Sequence, residues 1–222
     1  MESILAGDHL PGAFLPTESM LIDRFAVSRT AIREALQLLS ARGFVSVEHG
    51  RGARVTEHYP QAISGLLRFQ LRQQHGNLEH ILEVRRMLEV TAATLAVSRA
   101  SADDVERMES ALTAMAASQD SGAYIAADLA FHKAIVVAAR NPVMELLNDA
   151  ITHLLVGMRE QTYHVPGAVA QSLEDHRWVC DAIAAHDPER ARAVMVGVLN
   201  QVEGAIRLIE GQTQGADGRA DT

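Results

Sequence analysis

Asp128, His132 and His176 are side chains whose types and spacing suit a metal ion. Asp128 and His132 stand four residues apart, so on a helix both leave the same face. Ile125, Ile135 and Ala139 continue that face in steps of three and four and are apolar, which turns the acid and the histidine inward. Val169, Leu173, Cys180 and Ile183 do the same for His176, and Ile81, Leu88, Ala92 and Leu95 for Arg85. Such inward polar groups need partners, because an unpaired buried charge is costly. A carboxylate with two imidazoles suits a first-row divalent cation such as zinc, which leaves Arg85 for the carboxylate of a small organic acid. The competing arrangement is a closed network in which Asp128 pairs with Arg85 and hydrogen-bonds His132. No clear nucleophile or acid/base pair stands beside these groups, which weighs against a metal-dependent enzyme. An inward arginine also favours a small carboxylate over an acyl-CoA.

A second constellation lies near the N-terminus. Thr17-Glu18 can cap a short helix through Phe25, Ala26-Val27 makes a tight turn, and Ser28 caps a second helix from Arg29 to about Arg42. Ile32, Ala35, Leu36 and Leu39 form its expected buried stripe. Arg29, Arg33 and Gln37 recur every four residues on the opposite face, with Thr30 beside them. Long donors at that spacing can reach base edges and phosphates from a helix in the major groove. After Gly43, Val45 and Val47 alternate with polar residues, His49-Gly50-Arg51-Gly52 forms a tip, and Arg54-Val55 returns. This pattern predicts a β-hairpin wing with a basic tip. Charge supports the assignment locally. The chain carries a net −8, yet Arg24, Arg29, Arg33, Arg42, Arg51 and Arg54 face only Glu34 and Glu48 between residues 24 and 55.

The elements that must hold these groups are mostly helical. The chain has 222 residues, 48% of them hydrophobic and only 4% aromatic, a mix that favours helix over strand. Helices are expected from Leu78 to Arg99, after the Ser101 cap, from Ser121-Gly122 to near Arg140, and from Asn141-Pro142. Two more follow Val165-Pro166-Gly167 and His186-Asp187-Pro188. Six helices with short links predict an antiparallel bundle. The expected organisation is a winged helix-turn-helix over 1–57, a linker over 58–76 holding the apolar run Ile63 to Leu71, the bundle over 77–211 and a disordered polar tail over 212–222. The single cysteine, Cys180, fits a reducing cytoplasm. No signal peptide and no run of about 18 apolar residues are evident, so no membrane span is expected.

The run LPTESMLIDRFAVSRTAIREALQLLSARGFVSVEHGRGARV resembles the winged-helix signature of the GntR family, notably Leu15-Pro16-x-Glu18, Val27-Ser28-Arg29-Thr30 and Arg33-Glu34-Ala35-Leu36. The later helices resemble the FCD ligand-binding domain of the FadR-like subgroup. The resemblance implies a metabolite-responsive regulator, more often a repressor released by its effector, that binds double-stranded operator DNA as a homodimer. It implies DNA contacts from Ser28, Arg29, Thr30 and Arg33 on the helix and from His49 and Gly50 on the wing, beside which Gln37 and Arg51 are placed by their spacing. It further implies one divalent metal held by an acid and three histidines. Asp128, His132 and His176 match three of those ligands, and Val198 stands at the fourth. Ser19 stands where the family carries a phosphate-contacting arginine. Only Glu2 to Leu5 remain of the family's first helix, so the chain is expected to begin late or to fray there.

Overall fold

The computed structural model describes residues 1–48, 50–56, 60–73 and 78–217, with the side chains of 60–62 and 208–217 left aside. It divides into two compact units, Met1–Leu67 and Arg68–Thr222. His49 of the expected wing tip lies outside the described residues.

The first unit contains α1 (Glu2–Leu5), α2 (Glu18–Phe25), α3 (Arg29–Ala41), β1 (Val45–Glu48) and β2 (Gly52–Val55). The Thr17 hydroxyl accepts from the Met20 amide and so starts α2; the Ser28 hydroxyl does the same for α3 from the Ala31 amide. Between them Ala26 takes the left-handed conformation at φ 52°, which is the tight turn. Such a conformation costs roughly 1–2 kcal/mol for a residue with a Cβ. Gly43, at φ +78°, turns the chain from α3 into the hairpin. The strands pair antiparallel in the register Val45↔Val55 and Glu48↔Gly52. Residues 12–15 extend this ribbon, through backbone bonds from Gly12 N to Val55 O, Val55 N to Ala13 O and Leu15 N to Ala53 O. Leu21, Ile32, Val45, Ala53 and Val55 form the small core. Ala35, expected on the buried stripe, is exposed, because Ile32, Leu36 and Leu39 already complete the inward face.

α4 (Pro60–Gln73) occupies most of the expected linker and crosses the division between the units. The second unit holds α5 (Leu78–Arg99), α6 (Ala102–Ala117), α7 (Ser121–Ala138), α8 (Pro142–Leu154), α9 (Val156–Tyr163), α10 (Ala168–Ala184) and α11 (Pro188–Asp217). Ser101 and Asp104 form a reciprocal capping box at the start of α6. Asn141 caps α8 with Pro142 in its first turn, and Asp187 accepts from the Arg190 amide at the start of α11. α7 packs against α5, α6, α8 and α9, while α11 packs on α5 and α10. Ala92, Ala96, Phe131, Ile135, Met195 and their neighbours close into one core. α7 is the one described helix long and apolar enough, by composition, to cross a membrane. Half of it is buried inside this bundle and it carries Asp128 and His132, as a core helix does.

Two expectations change. The segment after Asn141 is two helices rather than one. At Leu155 the backbone takes φ −102°, ψ 0°, and its N–H bonds back only three residues, to Thr152 O. Val156-Gly157 are weak helix formers that do not carry α8 straight through. Residues 212–217, expected to be disordered, continue α11. No proline interrupts them, and extending an existing helix costs far less than starting one.

Candidate functional site

Five helices, α5, α7, α9, α10 and α11, converge on one cavity of about 470 Å³ in the second unit. That lies within the ~300–1,000 Å³ typical of small-molecule sites. α7 supplies Asp128 and His132, α10 supplies His176, α9 supplies Arg159, and α5 supplies Arg85. The structure therefore gathers all four groups singled out by their inward stripes. One ligand atom from each of Asp128, His132 and His176 lies within 4.8 Å of the others. His176 Nε2 stands 3.1 Å from Asp128 Oδ1 and 3.2 Å from His132 Nε2; His132 Nε2 stands 3.7 Å from Asp128 Oδ1.

The outer nitrogens decide what these inner nitrogens can do. His176 Nδ1 lies 2.6 Å from the Ser172 carbonyl oxygen. A carbonyl only accepts, so Nδ1 carries the hydrogen and Nε2 presents a lone pair. His132 Nδ1 lies 3.0 Å from Glu89 Oε2, close though not aligned as a full hydrogen bond. Burial would raise the Glu89 pKa, yet the Arg85 guanidinium, through its charge and hydrogen bonds, and then the neighbouring His132 ring hold it well below the usual carboxylate value. Glu89 is thus an ionised acceptor facing His132 Nδ1; with the ring hydrogen on that nitrogen, the His132 Nε2 lone pair points inward. Two lone pairs at 3.2 Å repel unless a cation or proton lies between them. Burial, and next the neighbouring His132, push the His176 pKa well below its ordinary value, which disfavours the proton on that ring. An ionised acid, two inward lone pairs and outer partners that orient each ring are the donor chemistry of a divalent metal site. Val198 lines the same cavity and offers no donor.

The two buried arginines have different states. Arg85, 2% exposed, donates from Nε to Glu89 Oε1 at 2.9 Å and from Nη2 to Oε2 at 3.4 Å. It is therefore tied to Glu89 and not to Asp128, and it also lines the cavity. Arg159, 7% exposed, pairs through Nη1 with Asp128 Oδ2, while its Nε and Nη2 have no partner. Burial, then the nearby Arg85 charge, lowers the Arg159 pKa to about 9, the mark of a guanidinium short of negative charge. Neither Glu89 nor Arg159 was among the expected site residues. Glu89 was within reach, since Leu82, Arg85, Glu89, Ala92 and Ala96 step by three and four and are all buried. Arg159 depends on the break at Leu155, for which the sequence carries no capping signal: Leu155 makes no side-chain cap.

In the first unit Arg29, Thr30, Arg33 and Gln37 are exposed on α3, with Ser28 at its cap. Arg33 Nε lies 3.6 Å from Glu18 Oε1, an open pair that screening weakens. At the hairpin tip Gly50 takes φ +76°, and Arg51 bonds Glu48 at 3.0 Å and rests over the Phe14 ring.

A short capped helix pair with a wing, followed by an all-helical unit around a charged cavity, defines a DNA-binding regulator with its own small-molecule sensor. The comparisons place it further. Residues 1–55 match the model for bacterial regulatory proteins of the gntR family, and residues 80–201 match the FCD domain. The chain is 32% identical over 203 residues to the HTH-type transcriptional regulator LutR of Bacillus subtilis, covering 89% of this chain and 93% of that protein. It is 32% identical to the galactonate operon transcriptional repressor of Escherichia coli, covering 86% of each. A GntR structure from Streptococcus agalactiae superposes with a TM-score of 0.71 at 23% identity, covering 90% of this chain and 93% of that one. This protein belongs to the GntR family with an FCD domain and is a metabolite-responsive DNA-binding transcription regulator, not an enzyme.

Proposed function

We propose that this regulator is a cytoplasmic homodimer that reads a near-palindromic operator and lets go of it when a small carboxylate occupies the helical-domain cavity. Asp128, His132 and His176 would hold one divalent cation such as zinc, which supplies a Lewis-acidic position for a carboxylate oxygen. Arg159, rather than Arg85, anchors the carboxylate through its free Nε and Nη2. The observation that carries this reading is the cluster of Asp128, His132 and His176 ligand atoms within 4.8 Å of one another, beside a buried guanidinium that pairs with Asp128 and keeps Nε and Nη2 free.

DNA contact is assigned to Ser28, Arg29, Thr30, Arg33 and Gln37 on α3 and to the 49–51 tip. Exposure of the α3 donors supports this, and one short recognition helix gives too few contacts without a second half-site. The domain limits proposed are 1–57 for the reader and 77–211 for the sensor, joined by α4. The test pairs thermal melts at graded zinc, with and without carboxylic acids, with mobility shifts on the DNA upstream of the gene. Melting temperature should rise with zinc and acid together, and the shifted complex should fade. Unchanged operator binding in an Arg29→Ala, Arg33→Ala double variant would remove the helix assignment.

A further inference from the structure

The DNA-reading unit is short of positive charge. Residues 1–57 carry six arginines, no lysine and seven acids, a net of −1. Proteins that hold DNA by its phosphates gather lysine and arginine on the binding face, and that attraction ignores sequence. Here two of the acids stand beside arginines assigned to DNA contact. Glu18 Oε1, in the first turn of α2, lies 3.6 Å from Arg33 Nε on α3. Glu48 Oε2, at the end of β1, accepts from Arg51 Nη1 at 3.0 Å. Among the described residues neither carboxylate has a second side-chain partner, so neither is spent on holding another element in place.

Breaking such open pairs costs little. Their effect is positional. A carboxylate this close to the guanidinium travels with it to the duplex, where it repels the phosphates that the arginine attracts. A phosphate contact is almost purely electrostatic and loses most of its gain to that neighbour. A contact to base edges depends on aligned donors and acceptors as well as on charge, and keeps more of it.

Resting on the assignment of Arg33 and Arg51 to DNA contact, we infer that Glu18 and Glu48 are specificity residues. They mask the two arginines against non-specific DNA, so that the regulator holds firmly only where base contacts are made.

The test is fluorescence anisotropy of the full-length protein on two labelled duplexes of equal length and composition. One is the sequence that wild type selects from a random library; the other is its shuffled counterpart. At about 100 mM salt, Glu18→Gln and Glu48→Gln should each bind the shuffled duplex about 3- to 10-fold more tightly than wild type, and the double variant about 10- to 100-fold. The salt slope should steepen by up to about 0.9 for each glutamate removed. Affinity for the selected duplex should rise less, so discrimination falls. Asp23→Asn removes the same charge from an exposed residue of α2 that pairs with no side chain among the described residues, and should change shuffled-duplex binding by about twofold or less. The inference is overturned if both glutamine variants keep the wild-type affinity and salt slope on shuffled DNA, if the two duplexes gain equally, or if Asp23→Asn acts as strongly. Failure of the contact assignment looks different: Arg33→Ala and Arg51→Ala then both bind the selected duplex as wild type does, and the inference falls with it.

Discussion

Replacing Arg85 by methionine should weaken the helical unit while leaving its response to acid largely in place. Arg85 makes two hydrogen bonds to Glu89, at 2.9 and 3.4 Å, and both side chains are nearly closed to solvent. Methionine fills similar space but strips Glu89 of them, leaving a buried carboxylate supported by His132 alone. Removing one partner of a buried pair costs about 3–5 kcal/mol. Whole-domain stability is only about 5–15 kcal/mol, and each kcal/mol shifts a domain of this size by about 2–4 °C, so a fall of about 6–20 °C is expected. Adding Glu89→Gln removes the orphaned charge and should recover much of the loss, a coupling that a double-mutant cycle measures directly. The assay is thermal unfolding of wild type, both single variants and the double, followed by effector titration of the surviving fraction. An Arg85→Met protein that melts with wild type yet ignores acid would refute the reasoning and restore Arg85 as the ligand anchor.

Arg159→Met should abolish the acid-dependent rise in melting temperature and also weaken zinc retention, since Asp128 loses its ion pair partner; an unchanged acid titration would move the anchor elsewhere. Val198→His adds an inward imidazole to the cavity wall, and the variant should keep more zinc after dialysis and gain more thermal stability in zinc than wild type. If wild type already holds one tight zinc per chain and the variant adds nothing, Val198 is not beside the metal. Asp104→Ala removes the capping box of α6 and the pairs with Arg107 and Arg140, at a cost of about 1–3 kcal/mol by urea unfolding. Burial would raise the Asp104 pKa, but the Ser101 hydrogen bonds and then Arg140 and Arg107 bring it below its ordinary 3.8. Its stabilisation is therefore complete above that value and is lost as pH falls through the lower folded one, so wild type and Asp104→Ala should converge in acid.

Most of the positions in this fold were legible because they rest on local chemistry. Thr17, Ser28, Ser101, Asn141 and Asp187 each accept a backbone hydrogen bond at a helix start, and each could be read from residue type and the pattern that follows. The inward stripe carrying Asp128 and His132 was equally plain. Pairing was not legible. Periodicity says that Arg85 points inward but not whom it meets, and the nearest answer, Glu89, sat one turn away on the same helix. Arg159 was hidden for another reason. It lies beyond the break at Leu155, where no side chain caps the new helix and Leu155 and Met158 join Leu82 and Ile206 in one buried cluster. The hairpin's third partner, residues 12–15, was missed because Pro11-Gly12 looks like a loop and its ladder bonds come from residues about 40 positions later.

The central claim is that zinc and a carboxylate act through Asp128, His132 and His176 to release DNA, and fluorescence anisotropy of a labelled upstream duplex tests it most directly. The duplex is held at fixed concentration with saturating protein while a small carboxylic acid is titrated, with and without zinc, for wild type and for His176→Ala. The account predicts that anisotropy falls for wild type only when zinc and acid are both present, and that His176→Ala stays bound throughout. Release by acid in zinc-free buffer, or equal release from His176→Ala, would contradict it.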